Sequence, residues 1–122
     1  MNSNPTARLE TLRKRRDFIA MRAGRRQHSP SFVLQARKRN DDNVTAAGVR
    51  IGYTATKKTG NAVERNRIKR RMRAAVHQIM PNNARPAYDY VLIGKRAALN
   101  TEFKTMVVEL GASLNRVHRN SN

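Results

Sequence analysis

The chain has 122 residues, with 26 Lys and Arg against 8 Asp and Glu, giving a formal net charge of +18. That length supports one domain with one modest core over residues 1–122, and the charge strains any compact state, so a partner must supply negative charge, nucleic acid first and an anionic membrane second. The absence of cysteine excludes disulfides and thiolate or thiolate-zinc chemistry, and with no apolar run of about 18 residues and no apolar leader the chain reads as a cytoplasmic protein that does not engage a membrane.

In chain order, the polar start MNSNPT is expected to be disordered, as is the end RNSN, leaving about residues 8–116 ordered. Asp17 to Met21 form a short apolar patch that ends at Ala23-Gly24, a short helix with Gly24 as its stop. Ser29-Pro30 marks a turn. Phe32, Leu34 and Ala36 then alternate with Val33, Gln35 and Arg37, the pattern of a half-buried strand. Asn40 to Asn43 is a cluster of turn residues. Alternation resumes from Val44 to Ala55, with Val49, Ile51 and Tyr53 on one face, so the two strands are expected to pair as a hairpin.

A long helix is predicted from Asn61. Gly60 permits the turn, Asn61 can cap free N–H groups, and Glu64 three residues on completes a capping box. Ile68, Met72, Ala75, Val76 and Ile79 form one apolar stripe, and Pro81 is expected to stop the helix. Tyr88 to Ile93 reads as another strand. Asn100 or Thr101 is expected to cap a last helix whose apolar face holds Phe103, Met106, Val107, Leu110, Leu114 and Val117.

The basic residues are concentrated. Arg8 to Arg26 contain eight of them, and Lys57 to Arg73 (KKTGNAVERNRIKRRMR) contain another eight. At about 100° per residue, Asn66, Lys69, Arg70 and Arg73 lie along one flank of the apolar stripe, while Arg67 and Arg71 point outward on the other side. Arg65 lies near the line of the stripe, at the first turn, where the helix end can release it to solvent. A charge run on a helix is usually a solvated face relieved by acid–base pairs. Glu64 is the single acid in this run, so that relief is missing and nucleic-acid binding is the stronger reading. His28, His77 and His118 are scattered without metal-ligand spacing, the carboxylates form no pair for acid–base or two-metal chemistry, and KKTGNAVER lacks the second glycine and the Lys-Ser/Thr of a P-loop.

AVERNRIKRRMR preceded by KKTGN resembles the signature of the bacterial ribonuclease P protein family. RKRRDF, SFVLQAR, GVRIGYTATKK and YDYVLI extend the resemblance from about Leu12 to about Leu114. It implies an α/β fold with elements in the order αβββαβα, a two-layer sandwich similar to the second domain of ribosomal protein S5. Its sheet would have four strands, the fourth a short one near Arg25 to His28, and a left-handed βαβ crossover around the motif helix. It also implies the function: one protein binds one catalytic RNA, and the holoenzyme removes the 5′ leader from precursor tRNA. Chemistry would lie with the RNA and its bound Mg2+, and the protein would hold no cofactor. By position, Arg65, Asn66, Arg67, Arg70, Lys57, Lys58 and Asn61 match residues that contact the catalytic RNA. Phe18, Lys69 and Arg73 match a cleft that meets the leader, and Phe18 is as readily a plain core aromatic. Arg22 and Gln35 stand in that cleft where some relatives have aromatics, which shifts the expected contacts from stacking toward charge. A ribosomal protein and a stand-alone nuclease are the rival readings.

Overall fold

The computed structural model describes residues 9–39 and 48–119. The turn cluster at 40–43, the start of the alternation at 44–47 and most of both polar ends lie outside them. Within them are five strands, β1 (Leu9–Thr11), β2 (Arg25–His28), β3 (Phe32–Lys38), β4 (Val49–Thr54) and β5 (Tyr88–Gly94), and three helices, α1 (Arg15–Ala20), α2 (Ala62–Asn83) and α3 (Phe103–Arg119). From α1 onward the order is αβββαβα, the order implied by the resemblance. The short strand expected near Arg25 is present as β2, and β1 is an additional one.

The sheet order is β1-β4-β5-β3-β2. The expected hairpin of β3 with β4 does not form. β5 lies between them, antiparallel to β3 from Phe32–Gly94 to Lys38–Tyr88 and parallel to β4 from Arg50–Asp89 to Thr54–Ile93. The hairpin is instead β2–β3, closed where Ser29 N–H and Oγ both donate to the Phe32 carbonyl at 2.9 Å. The parallel pair β4 and β5 is bridged by α2.

Strand alternation sorts side chains onto two faces. Phe32, Leu34, Ala36, Val49, Ile51, Tyr90 and Leu92 form one core with Ile68, Met72, Ala75, Val76 and Met80 of α2 and Met106, Leu110, Leu114 and Val117 of α3. On the other face Leu12, Met21 and Val91 form a smaller cluster, flanked by Phe18 and Ile93. β3 is therefore buried at five consecutive residues, Phe32 to Ala36, rather than half-buried as its alternation suggested. Gly94 lets α2 sit close to the sheet, since a Cβ there would lie 2.4 Å from Ile68 Cγ2.

α2 does not stop at Pro81 but runs to Asn83, with Ala84 N–H bonded to the Met80 carbonyl at 2.9 Å. Proline removes one backbone donor, and the fully buried Met80 beside it holds the last turn on the core. α3 is tied to the β2–β3 turn by Glu109, which accepts from Ser31 N–H and Oγ at 3.0 Å each.

Candidate nucleic-acid interface

The site is built on the first half of α2. Asn61 Oδ1 accepts from Glu64 N–H at 2.8 Å, and Glu64 Oε1 accepts from Asn61 N–H at 2.9 Å, so the expected capping box is complete. Arg96, in the short 3₁₀ turn Arg96–Leu99 after β5, donates to both Glu64 oxygens, at 3.4 and 3.1 Å. The Arg96 hydrogen bond, then the cap, hold the Glu64 carboxyl below the usual range. Arg65 is half-buried and donates to the Gly60 carbonyl at 2.9 Å, which closes the first turn.

Of the predicted RNA-contacting residues, Lys57, Lys58, Asn61, Asn66, Arg67 and Arg70 are exposed. Lys57 and Lys58 stand on a second 3₁₀ turn, Lys57–Thr59, that leads into the helix cap. With Ile68 and Met72 turned to the core, Arg70 points almost directly away from it. Across the described residues Lys57, Lys58, Arg67 and Arg70 have no ion pair or hydrogen bond, so their charge is free for a partner.

Arg71 departs from expectation. It does not face outward; it is half-buried and donates to the carbonyls of Ala98 and Leu99 at 3.0 Å each and to that of Thr101. The 3₁₀ turn leaves those carbonyls without helical partners, and a guanidinium with five donors satisfies three at once.

On the opposite flank of α2, Arg73 lies over the Tyr53 ring with its guanidinium carbon 5.0 Å from the centroid. Burial pushes the Tyr53 phenol up to about 12, against a smaller downward pull from Arg73. Lys69 is half-buried on this flank.

Phe18, Arg22 and Gln35 are elsewhere. Phe18 is half-buried and packs on Gly52, where a Cβ would come within 2.6 Å of its Cζ. Gln35 is buried on the same face and, with its amide oriented to suit, accepts from Arg26 Nε at 3.1 Å and Nη2 at 3.0 Å. The sheet thus stands between Phe18 and Gln35 on one side and Lys69 and Arg73 on the other, and the one shared cleft expected for them is not formed. The cause is the pleat: Gly52 and Tyr53 are neighbours in sequence and point to opposite faces.

Sequence reasoning missed what holds α1 to the sheet. Asp89, 1% exposed, accepts from Arg50 at 2.8 and 2.6 Å and from Arg39 at 2.9 Å, and Arg50 also reaches Asp17 of α1 at 3.2 Å. The hydrogen bond to Asp89, ahead of the cost of burial, raises Arg50. A lone acid inside an apolar strand, YDYVLI, was the available signal. Asp17, Asp89, Glu64 and Glu109 are each engaged as above, and no three ligating side chains come together among the described residues.

A model of the Ribonuclease P family matches residues 6–118. The chain is 43% identical over 111 residues to the ribonuclease P protein component of Ruegeria pomeroyi, covering 90% of this chain and 87% of that one. It is 42% identical over 128 aligned residues to that of Caulobacter vibrioides, covering 96% and 84%. The RNase P protein from Thermotoga maritima superposes with a TM-score of 0.69 at 27% identity, over 93% of this chain and 99% of that one. The capped basic helix, the αβββαβα order and these likenesses agree, and the chain belongs to the ribonuclease P protein family.

Proposed function

We propose that the chain serves ribonuclease P, a ribonucleoprotein endoribonuclease, by docking on the catalytic RNA through α2 and holding the 5′ leader of precursor tRNA on the other side of the sheet. Lys57, Lys58, Asn61, Arg65, Asn66, Arg67 and Arg70 are the RNA-docking group. The observation that carries this reading is the row of exposed, unpaired cations on a helix whose first turn is fixed by a capping box. A rigid row of cations fits the phosphate spacing of folded RNA, which a mobile tail matches only at an entropic cost.

The leader is assigned to the α1 face. Arg13, Lys14, Arg15, Arg16 and Arg22 are exposed on α1, which carries Phe18, or next to it in sequence, Arg26 bonds Gln35, and cations beside an aromatic suit a single strand. Lys69 and Arg73 extend the docking surface past Tyr53. Leader cleavage is RNA chemistry with Mg2+ held by RNA and substrate, and the protein contributes binding and orientation, one copy per RNA, in the cytoplasm where tRNA matures.

Reconstitution with the cognate RNA subunit at limiting Mg2+ tests the reading. The protein alone should leave precursor tRNA intact, and the mixture should cut it much faster than the RNA alone. Cleavage by the protein alone would indicate a nuclease, and no effect on the RNA would indicate a ribosomal role; either would end the proposal. For the two faces, Phe18→Leu with Arg22→Ala should weaken binding of leader-bearing precursor and spare mature tRNA. Lys69→Ala with Arg73→Ala should weaken both alike. The reverse pattern would move the leader to the α2 flank.

A further inference from the structure

The docking group comes from two segments with different backbones. Lys57 and Lys58 stand on a 3₁₀ turn, and Asn66, Arg67 and Arg70 stand on α2. Gly60 joins the two with a φ of 158°. Such a joint gives no fixed angle by itself, so something must set the spacing between the two groups of cations.

Arg96 spans the joint. Its Nη1 donates to the carbonyl of Thr59, the last residue of the lysine turn, at 3.0 Å, and the same guanidinium grips the Glu64 carboxylate on the first turn of α2. Gly60 makes room for it. A Cβ there would lie 2.5 Å from Glu64 Oε1 and 3.0 Å from Arg96 Nη1. The turn that carries Arg96 is itself held to α2 by Arg71 through the Ala98, Leu99 and Thr101 carbonyls. Glu64 and Arg71 are seven residues apart, two helical turns, on one flank of α2. The connections run from α2 through Arg71 to the Arg96–Leu99 turn, and from Arg96 back to the lysine turn and the helix cap.

We infer that Arg96 is a positioning residue that fixes Lys57 and Lys58 against the Arg67–Arg70 comb, with Arg71 as its anchor, so that both groups of cations meet the catalytic RNA together. This rests on the docking role proposed for α2. The planar fork matters more than the charge. One guanidinium satisfies a carbonyl and a carboxylate at once, and an ammonium on the same stem does not reproduce that geometry.

The test is a binding cycle on the cognate catalytic RNA across a salt series, using Arg96→Gln, Arg96→Lys, Lys57→Ala with Lys58→Ala, and the combinations, each checked for folding by circular dichroism. Arg96→Gln should weaken binding about fivefold and flatten the salt dependence as the lysine pair does, by up to about two phosphates' worth. It should add nothing once both lysines are gone. Arg96→Lys should behave like Arg96→Gln. Additive losses, or a wild-type Arg96→Lys, would make Arg96 an ordinary phosphate contact and overturn the inference. An equal loss in both backgrounds with an unchanged salt slope would reduce it to general stability and also overturn it. Arg67→Ala with Arg70→Ala separates the two levels: if that pair leaves affinity intact, the docking role of α2 fails; if it weakens binding while the cycle is additive, only the positioning role does.

Discussion

Arg71 and Arg70 are adjacent in the sequence, both basic, and have different work. Arg70 points away from the core and has no ion pair among the described residues, whereas Arg71 is held by three carbonyls. Helix angles alone pointed Arg71 outward with Arg67. Nothing in the sequence says that a 3₁₀ turn with free carbonyls lies within its reach. Phe18 was legible only as one of two things, and its contact with Gly52 explains why: the ring packs as a core residue with one edge left at the surface. Gly52→Ala should displace it and cost about 1–3 kcal/mol, read from urea unfolding. His118 gave no sequence signal beyond its isolation, yet it is buried, with Nε2 2.7 Å from Tyr90 Oη, whose oxygen also accepts from Arg85 N–H. Burial, then Arg85 and Arg25, lower its pKa to about 4 from an ordinary 6.5. Below about pH 6.5 the unfolded chain takes a proton that the folded chain refuses, so this contribution to stability is full above that pH and declines as pH falls toward 4. Thermal midpoints from pH 7.5 to 4.5 should fall, and His118→Gln should flatten that part of the profile.

At the scale of elements, the helices were the more readable. Both long ones carry a periodic apolar stripe, and the α2 capping box was visible as Asn61 and Glu64. Asn61→Ala should cost about 1 kcal/mol in chemical denaturation, because the Glu64 N–H loses its acceptor. Pro81 was misread as a terminator because its local cost is real, but burial of Met80 and Val76 outweighs it. Pro81→Ala should therefore stabilise the protein by about 1–3 kcal/mol, again by denaturation. The strands were legible as segments and not as partners. Proximity in sequence suggested that β3 pairs β4, while the strand that separates them arrives some 35 residues later, after α2. β1 is three residues at the sheet edge, too short to show alternation.

For the whole molecule, a net charge of +18 was the clearest sequence signal, and the fold explains how it is tolerated. Glu64 is engaged in the α2 cap, Asp17 and Asp89 in the Arg39–Asp89–Arg50–Asp17 network and Glu109 with Ser31, and exposed cations stand both on and beside α1 and along α2. Polyvalent anions should occupy those faces in the folded state only. Sulfate should accordingly raise the thermal midpoint beyond the shift that an equal ionic strength of chloride gives, by circular dichroism. With about eight phosphate contacts to the catalytic RNA, the logarithm of affinity should fall with the logarithm of salt at a slope on the order of −6. A division of cations between two faces could not be read from the sequence, since it depends on which way each strand residue points.

β5 is the hydrogen-bonding partner of both β3 and β4, yet it is made after them and after the whole of α2. During synthesis the ribosome releases more than two thirds of the polypeptide before the segment that joins its sheet emerges. Until then a strongly cationic nascent chain waits beside ribosomal RNA with nothing to close its interior. A fragment ending before Tyr88 should consequently show no cooperative melting, and pulse-labelled chains should become protease-resistant only once Gly94 has cleared the exit tunnel.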